Sequence, residues 1–161
     1  MRLFNLFEDD SGEMSRMARA KSMGFDTSKE LYHGSKGVID SFDTGKVLNG
    51  WVGKGFYFTD LKKATKGFGS NVSTVYLKML KPYVTDSTSP SDFSNEMKEK
   101  FGIEHGDSAD KALQSAGYDG VIYKHWDDDF GTFYVVYEPN QVRLVTADFD
   151  PSLSNSGNLS S

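Results

Sequence analysis

The sequence predicts one α+β domain built from short strands and few helices. The chain has 161 residues, which is enough for a single hydrophobic core. Its strand-like segments are short and rich in Tyr, Phe and Val, and only a few segments have a helical period. Aromatic residues make up 14% of the chain and apolar residues 37%, so we expect a core rich in Phe and Tyr.

Charge and composition limit the classes of partner. The formal net charge is -5, the pI is about 5.1, and no run of Lys or Arg is present, which argues against a nucleic-acid partner. The chain contains no cysteine, and its histidines and carboxylates lack metal-site spacing. The start MRLFNLFEDD is too short and too acidic for a signal peptide, and no stretch approaches transmembrane length. We therefore expect a soluble intracellular protein that contacts no membrane and binds no metal.

The first half of the chain is predicted to begin with a helix and to continue with strands and loops. Methionines recur on one face of residues 10–25, and Gly24 is a suitable stop. Residues 36–55 are rich in glycine and form a long loop, and loops of this length are often functional. Asp60 is placed to cap a short helix. The predicted elements are a helix over 10–25, strands over 31–33, 56–59 and 73–80, and a short helix over 61–66.

The second half is predicted to hold two helices and then a group of strands. Gly117 is a good stop for the second helix. The acidic loop KHWDDDFG, which holds His125, joins two strands, and contact with a target is one open role for this histidine. The predicted elements are helices over 91–101 and 107–116 and strands over 118–123, 133–138 and 142–145. We divide the chain into a lead-in over 1–29, a domain over 30–148 and a disordered polar tail over 149–161.

Two stretches carry the candidate chemistry: LYHGSKG (31–37) and GKGFYFTD (53–60). His33 ends a strand and precedes a Gly-Ser pair, where small residues let a ligand approach the backbone. Tyr57 lies between two phenylalanines, and the period of two along a strand puts these on one face and Tyr57 on the other. A ring with a hydroxyl suits stacking on a cationic aromatic ring. Taken alone, His33 and Tyr57 are more readily explained by core packing than by ligand binding.

These stretches resemble the first signature blocks of the ADP-ribosyltransferase fold, in the branch shared by diphtheria-type toxins and poly(ADP-ribose) polymerases. The later blocks AGYDGVIY and YVVYEPNQVR, and the lead-in RMARAKSMGFDTSKELYHG, resemble the form of that fold found in bacteriophage and mobile-element polyvalent proteins. The resemblance covers about residues 16–145. It implies two short packed antiparallel sheets with a few peripheral helices.

The resemblance also implies that NAD is the substrate and gives roles to five residues. His33 matches the family histidine that binds the adenine-side ribose of NAD. Gly34 matches the glycine whose backbone holds the nicotinamide carboxamide, and Ser35 matches a small polar residue that assists it. Tyr57 matches the tyrosine that stacks on nicotinamide, and Phe68 the second aromatic residue of that sandwich.

The sequence departs from the family at its third signature residue. This is a glutamate at the start of the last core strand that binds the nicotinamide ribose, and here the position holds Phe133. Glu138 lies five residues further on, so strand parity puts it on the opposite face. Asp127 and Asp129 have the right parity only if the strand extends through Gly131. Asp129 is therefore the candidate substitute, and the alternative is a solvated acidic loop.

Two functions follow from the resemblance. The first is a mono-ADP-ribosyltransferase, a glycosyltransferase-class enzyme that releases nicotinamide and passes ADP-ribose to an unknown acceptor, which we expect to be a host protein. The second is a catalytically degenerate module that binds NAD or ADP-ribose, or a structural part of a phage or mobile-element assembly. We expect a monomer in the host-cell cytoplasm, or one associated with the virion and delivered on infection.

Overall fold

The computed structural model describes residues 15–104 and 109–161 and contains strands and helices in an α+β arrangement. At most positions, the observed ends of the helices and strands lie within a few residues of the predicted ends. The helices are α1 (15–22), α2 (Pro90–Phe101) and α3 (Ala109–Ser115), and the strands are β1 (Leu31–Ser35), β2 (Leu48–Gly50), β3 (Gly53–Thr59), β4 (Asn71–Leu77), β5 (Pro82–Val84), β6 (Gly120–Lys124), β7 (Thr132–Val136) and β8 (Val142–Leu144).

The strands form one hydrogen-bonded path in the order β5-β6-β7-β3-β1-β4-β8, and β2 pairs with β3 beside it. The path has a seam, because β1 and β3 share only the pair Tyr32–Thr59. On either side the pairing is extensive: five residue pairs join β1 to β4, and four join β3 to β7. The two sheets implied by the resemblance are therefore halves of one sheet. The β5–β6 pair is parallel, which departs from an all-antiparallel arrangement.

Both faces of β3 are buried, and this strand separates two core clusters. Phe56 and Phe58 pack in a cluster with Leu31, Val75 and other apolar residues. Tyr57 packs on the other face, in the cluster that α2 and α3 cover. The predicted parity of the strand is confirmed, and it puts the tyrosine on the opposite side of the sheet from its two phenylalanine neighbours.

Two local predictions in the first half of the chain are wrong. The long loop over 36–55 contains a hairpin, because β2 pairs with the start of β3 around a turn with Gly53 at φ +99°. Asp60 does not cap a helix, since its carboxylate accepts a hydrogen bond from the backbone N–H of Thr132 (2.9 Å). The short helix is a 3₁₀ helix over Lys62–Phe68 that begins without a side-chain cap.

The helix α1 docks on the segment that follows β8. The Arg16 guanidinium donates to the carbonyl oxygens of Val145 (2.8 Å) and Ala147 (2.9 Å). The Arg19 guanidinium donates to the carbonyl oxygen of Phe149 (3.2 Å). Gly24, with φ +96°, ends the turn that follows α1. The predicted helical residues 10–14 lie outside the described part of the chain. None of the helices in the described ranges has the length and apolarity needed to cross a membrane.

The C-terminal residues do not form the predicted disordered tail. Leu159 is only 1% exposed and packs in the core cluster that contains Phe42. Its backbone N–H donates to the carbonyl of Asp40 (2.8 Å), and its carbonyl accepts from the N–H of Leu144 (2.9 Å). The segment therefore adds a strand-like strip between β8 and the loop that follows β1.

Side-chain hydrogen bonds explain why so polar a segment is ordered. Asp150 accepts from the backbone N–H of Ser152 (3.0 Å), Ser156 from that of Asn158 (3.0 Å), and Asn158 from that of Ser160 (2.9 Å). Such local turns satisfy backbone groups without a regular element. One buried leucine then anchors the strip. Composition alone favours disorder because it does not reveal these contacts.

Candidate functional site

A cavity of about 220 Å³ lies at the seam between β1 and β3. The strands diverge after the single Tyr32–Thr59 pair, and both of these residues line the cavity. Five sequence-predicted residues also line it: His33, Gly34, Tyr57, Phe68 and Phe133. The fold thus brings together residues from β1, β3, the 3₁₀ helix and β7.

The His33 imidazole bridges the seam. Its Nδ1 lies 2.8 Å from the carbonyl oxygen of Tyr57, and its ring packs against Phe42 (centroids 4.9 Å apart) and Phe58 (5.4 Å). A carbonyl oxygen only accepts, so Nδ1 carries the proton and Nε2 of the neutral ring is an acceptor. Burial lowers the pKa of His33 from its ordinary 6.5, against the opposing effect of the Tyr57 carbonyl. The ring is therefore neutral at pH 7, with Nε2 as an acceptor for a ligand hydroxyl.

Tyr57 forms a rigid wall of the cavity. Its hydroxyl donates to the carbonyl of Gly53 (2.5 Å) and accepts from the N–H of Val52 (3.2 Å), so it holds the β2–β3 turn. Burial raises the pKa of Tyr57, which keeps the hydroxyl protonated. A Cβ at Gly50 would lie 2.7 Å from the Tyr57 ring, so only glycine allows this close approach. The hydroxyl is thus engaged within the protein, and the ring is the part of Tyr57 offered to a ligand.

Gly34 lies against the 3₁₀ helix that carries Phe68. A Cβ at Gly34 would lie 2.6 Å from the carbonyl oxygen of Thr65 and 3.2 Å from the Cβ of Phe68. The glycine therefore lets β1 and the 3₁₀ helix approach closely at the cavity. Phe68 is 53% exposed, so its ring lies at the mouth of the cavity.

Phe133 forms another wall of the cavity. It is 9% exposed, and its ring stacks on Tyr123 (centroids 5.3 Å apart, planes at 10°). Among the described residues, no carboxylate side chain lines this cavity. The cavity is therefore apolar apart from imidazole, hydroxyl and backbone groups.

Two of the predicted site residues do not line the cavity. The Ser35 hydroxyl donates to the carbonyl of Gly37 (2.6 Å) and closes a local turn. Asp129 forms an ion pair with Lys63 (3.1 Å), and both side chains are largely exposed. The strand does not extend through Gly131, which has φ +71°, so the parity needed to direct Asp129 inward is absent.

A second cavity, of about 550 Å³, lies on the other side of His33. It shares His33, Leu48 and Tyr57 with the first cavity, and its outer wall is the loop over 38–43. The backbone contact of Leu159 with Asp40 holds this loop. Together the two cavities form a groove with two compartments that meet at His33.

The sequence interpretation missed five aromatic residues that line the first cavity: Tyr32, Trp51, Tyr123, His125 and Phe130. Trp51, in the β2–β3 turn, stacks on Tyr123 (4.7 Å, 16°) and on His125 (5.2 Å, 24°). His125 itself is half-buried and lines the cavity, a position that the sequence interpretation did not assign to it. Strand parity carried a signal, because His125 follows Tyr123 by two residues and Tyr123 pairs with Phe133 across the β6–β7 ladder.

A family model described as "ADP-Ribosyltransferase in polyvalent proteins" matches residues 14–149 of this chain. The match contains every residue that lines the first cavity. No curated protein matches the chain.

Solved structures resemble the chain at low identity. One is the MbcT-MbcA toxin-antitoxin complex of M. tuberculosis, with 15% identity, 79% of this chain and 87% of that chain covered, and a TM-score of 0.46. Another is an anti-CRISPR protein, with 14% identity, coverage of 66% of this chain and 88% of that chain, and a TM-score of 0.37.

Proposed function

The chain belongs to the family of ADP-ribosyltransferases in polyvalent proteins, and from this premise we propose that it cleaves NAD and transfers one ADP-ribose unit to an acceptor, which we take to be a host protein. The observation that carries the proposal is the groove. Its two compartments meet at His33, the residue that matches the NAD-binding histidine of the family. A dinucleotide has two nucleoside ends, so a two-compartment groove suits it.

The residues of the first cavity suit the nicotinamide end of NAD. The Tyr57 ring offers an aromatic face for the cationic pyridinium ring, and the apolar walls exclude water. At the junction with the second cavity, the neutral His33 imidazole offers Nε2 as an acceptor for a hydroxyl of the adenine-side ribose. The close approach at Gly34 brings backbone to the same wall.

In the proposed reaction the bond between the nicotinamide nitrogen and ribosyl C1′ breaks, and nicotinamide leaves with the electron pair. A nucleophilic atom of the acceptor forms the new bond to C1′ and loses its proton to solvent or to a base of its own. The protein's part is to position both groups and to exclude water, since no carboxylate lines the cavity among the described residues.

The same lack of a carboxylate favours a second candidate function, a module that binds NAD or ADP-ribose without turnover. Phe133 occupies the position of the family glutamate, and its neighbour Asp129 is paired with Lys63 outside the cavity. Such a module would keep the groove and bind the ligand intact.

One experiment separates the two functions. Purified protein is incubated with NAD, and binding is measured by calorimetry while released nicotinamide is measured by chromatography. Binding with nicotinamide release supports the transferase, and binding without release, even with host lysate as acceptor, supports the module. If no NAD binds, both proposals fail.

Substitutions at Tyr57 test the stacking role. Tyr57→Phe keeps the ring, so we expect NAD affinity within about threefold of wild type. It leaves the N–H of Val52 and the carbonyl of Gly53 without their partner, which should lower stability by about 1–3 kcal/mol. Tyr57→Leu keeps apolar bulk but loses the ring, so affinity should fall about tenfold, the upper range of one aromatic interaction.

Calorimetry below the melting temperature of each variant measures the affinities, and thermal denaturation measures the stability. Both variants lack the hydroxyl and should lose stability, but only Leu lacks the ring, so only Leu should bind NAD more weakly. Wild-type affinity in Tyr57→Leu would rule out stacking at this position.

A further inference from the structure

His125 is held at the end of β6 on the same side as the cavity. Its backbone N–H donates to the carbonyl of Gly131 (3.0 Å), which closes the loop between β6 and β7. The preceding residues Tyr123 and Lys124 pair with Phe133 and Thr132. His125 therefore follows Tyr123 on the face that carries Phe133, and it lines the cavity beside that residue.

The loop fixes the tautomer of this imidazole. The backbone N–H of Asp127 donates to Nδ1 of His125 (3.0 Å). A backbone N–H is only a donor, so Nδ1 uses its lone pair, and the proton of the neutral ring is on Nε2. His125 is thus a donor at Nε2, whereas His33 across the cavity is an acceptor at Nε2.

The ring is also fixed by aromatic packing. Its centroid lies 4.6 Å from that of Phe130, 5.2 Å from that of Trp51 and 6.1 Å from that of Phe133. Trp51 and Phe130 line the same cavity. An imidazole held in this way loses little conformational freedom when it binds a ligand.

The Nε2 of His125 has no protein partner among the described residues. This nitrogen is not a buried polar atom without a hydrogen bond, since within those residues only Tyr137 Oη and Arg143 Nε are of that kind. The nearby Thr59 hydroxyl, by contrast, donates to the carbonyl of Phe130 (2.8 Å) and accepts from the N–H of Leu61 (3.1 Å). Beside Phe133, the Nε2–H of His125 is therefore a side-chain donor that is held in place and available to a ligand.

We propose that His125 is a ligand-binding residue whose Nε2–H donates to a ribose oxygen on the Phe133 side of the cavity. This inference rests on the proposed function, because the ribose is that of the nicotinamide nucleoside of NAD. In this proposal, Phe133 replaces a carboxylate that would accept a hydrogen bond from the ribose. The neighbouring His125 imidazole binds the ribose by donating a hydrogen bond.

Three substitutions separate the donor from the packing of the ring. His125→Phe keeps an aromatic ring between Trp51 and Phe130 but has no donor. His125→Asn keeps an acceptor for the N–H of Asp127 but has no donor at the Nε2 position. His125→Gln carries an amide N–H close to the Nε2 position. We expect NAD to bind about tenfold more weakly to the Phe and Asn variants and within about threefold of wild type to the Gln variant.

The probes are NAD, nicotinamide mononucleotide and free nicotinamide, each titrated by calorimetry into protein whose melting curve shows a folded state. The two ribose-bearing probes should lose affinity in the Phe and Asn variants, whereas free nicotinamide should bind to every variant as it does to wild type. Rescue by Gln is not expected if His125 acts only through ring packing.

The outcomes distinguish this inference from the proposed function. If wild type binds NAD and His125→Phe binds it equally well, the inference is overturned and the proposed function stands. If free nicotinamide loses affinity in step with the mononucleotide, the ribose contact is also overturned. If wild type binds no NAD, the proposed function fails and takes the inference with it.

Discussion

Phe133→Glu is expected to increase nicotinamide release by about two to three orders of magnitude over wild type. Phe133 lines the cavity, and under the proposed function it takes the position of the family glutamate. A carboxylate there would stabilise the positive charge that develops on the ribose as nicotinamide leaves. One well-placed electrostatic group contributes about 2.7–4 kcal/mol to a transition state. Single-turnover chromatography of nicotinamide measures the effect.

The substitution also has a structural cost. Phe133 is 9% exposed and stacks on Tyr123, so the variant loses buried ring packing and gains a charge in an apolar wall. Phe133→Gln is the matched control, because it has nearly the same shape as the Glu variant and no charge. Both variants should melt below wild type, but only Glu should gain activity. Equal rates in folded Glu and Gln variants would show that a carboxylate at this position does not promote the reaction.

Leu159→Ala is expected to lower the free energy of unfolding by about 2–5 kcal/mol, the usual range for replacing a buried core leucine with alanine. Leu159 is 1% exposed and packs in the cluster that contains Phe42 and Phe58. At about 2–4 °C per kcal/mol for a chain of this size, the melting temperature should fall by about 4–20 °C. Thermal denaturation followed by circular dichroism measures it.

Leu153→Ala provides the control within the same polar segment. Leu153 is 46% exposed, and we expect its substitution to change stability by less than about 1 kcal/mol. If Leu159→Ala melts at the same temperature as wild type, the C-terminal segment is not part of the cooperative fold. That result would restore the expectation of a disordered tail.

Local periodicity was enough to predict the part of the site that lies on regular strands. The alternation along FYF orients Tyr57 away from its two phenylalanine neighbours, and the helices and strands from α2 onward have their predicted types. Phe133 likewise lies on a predicted strand, whereas its place in the site was implied by the family resemblance. These predictions succeed because each depends on neighbours a few residues away.

The features that could not be predicted depend on contacts between distant segments. The β2–β3 hairpin is held by the Tyr57 hydroxyl, and Trp51 reaches its partners on β6 only because of that turn. Leu159 is ordered by Asp40, which is far away in sequence. Asp129 is close to the site in sequence, yet it lies outside the cavity in an exposed ion pair with Lys63. Composition and spacing carry no information about such long-range contacts.

The single pair that joins β1 to β3 affects how the molecule opens. Each half of the sheet has its own continuous ladder, so amide exchange should distinguish two opening units, which are coupled through the core cluster that both halves share. The imidazole of His33 on the carbonyl of Tyr57 replaces a ladder bond across that gap. A ligand that touches both residues binds only when both units are closed, and mass action then stabilises them together. Bound substrate would connect β1 and β3 where ladder hydrogen bonds are absent, and the two units would then open together as one cooperative domain.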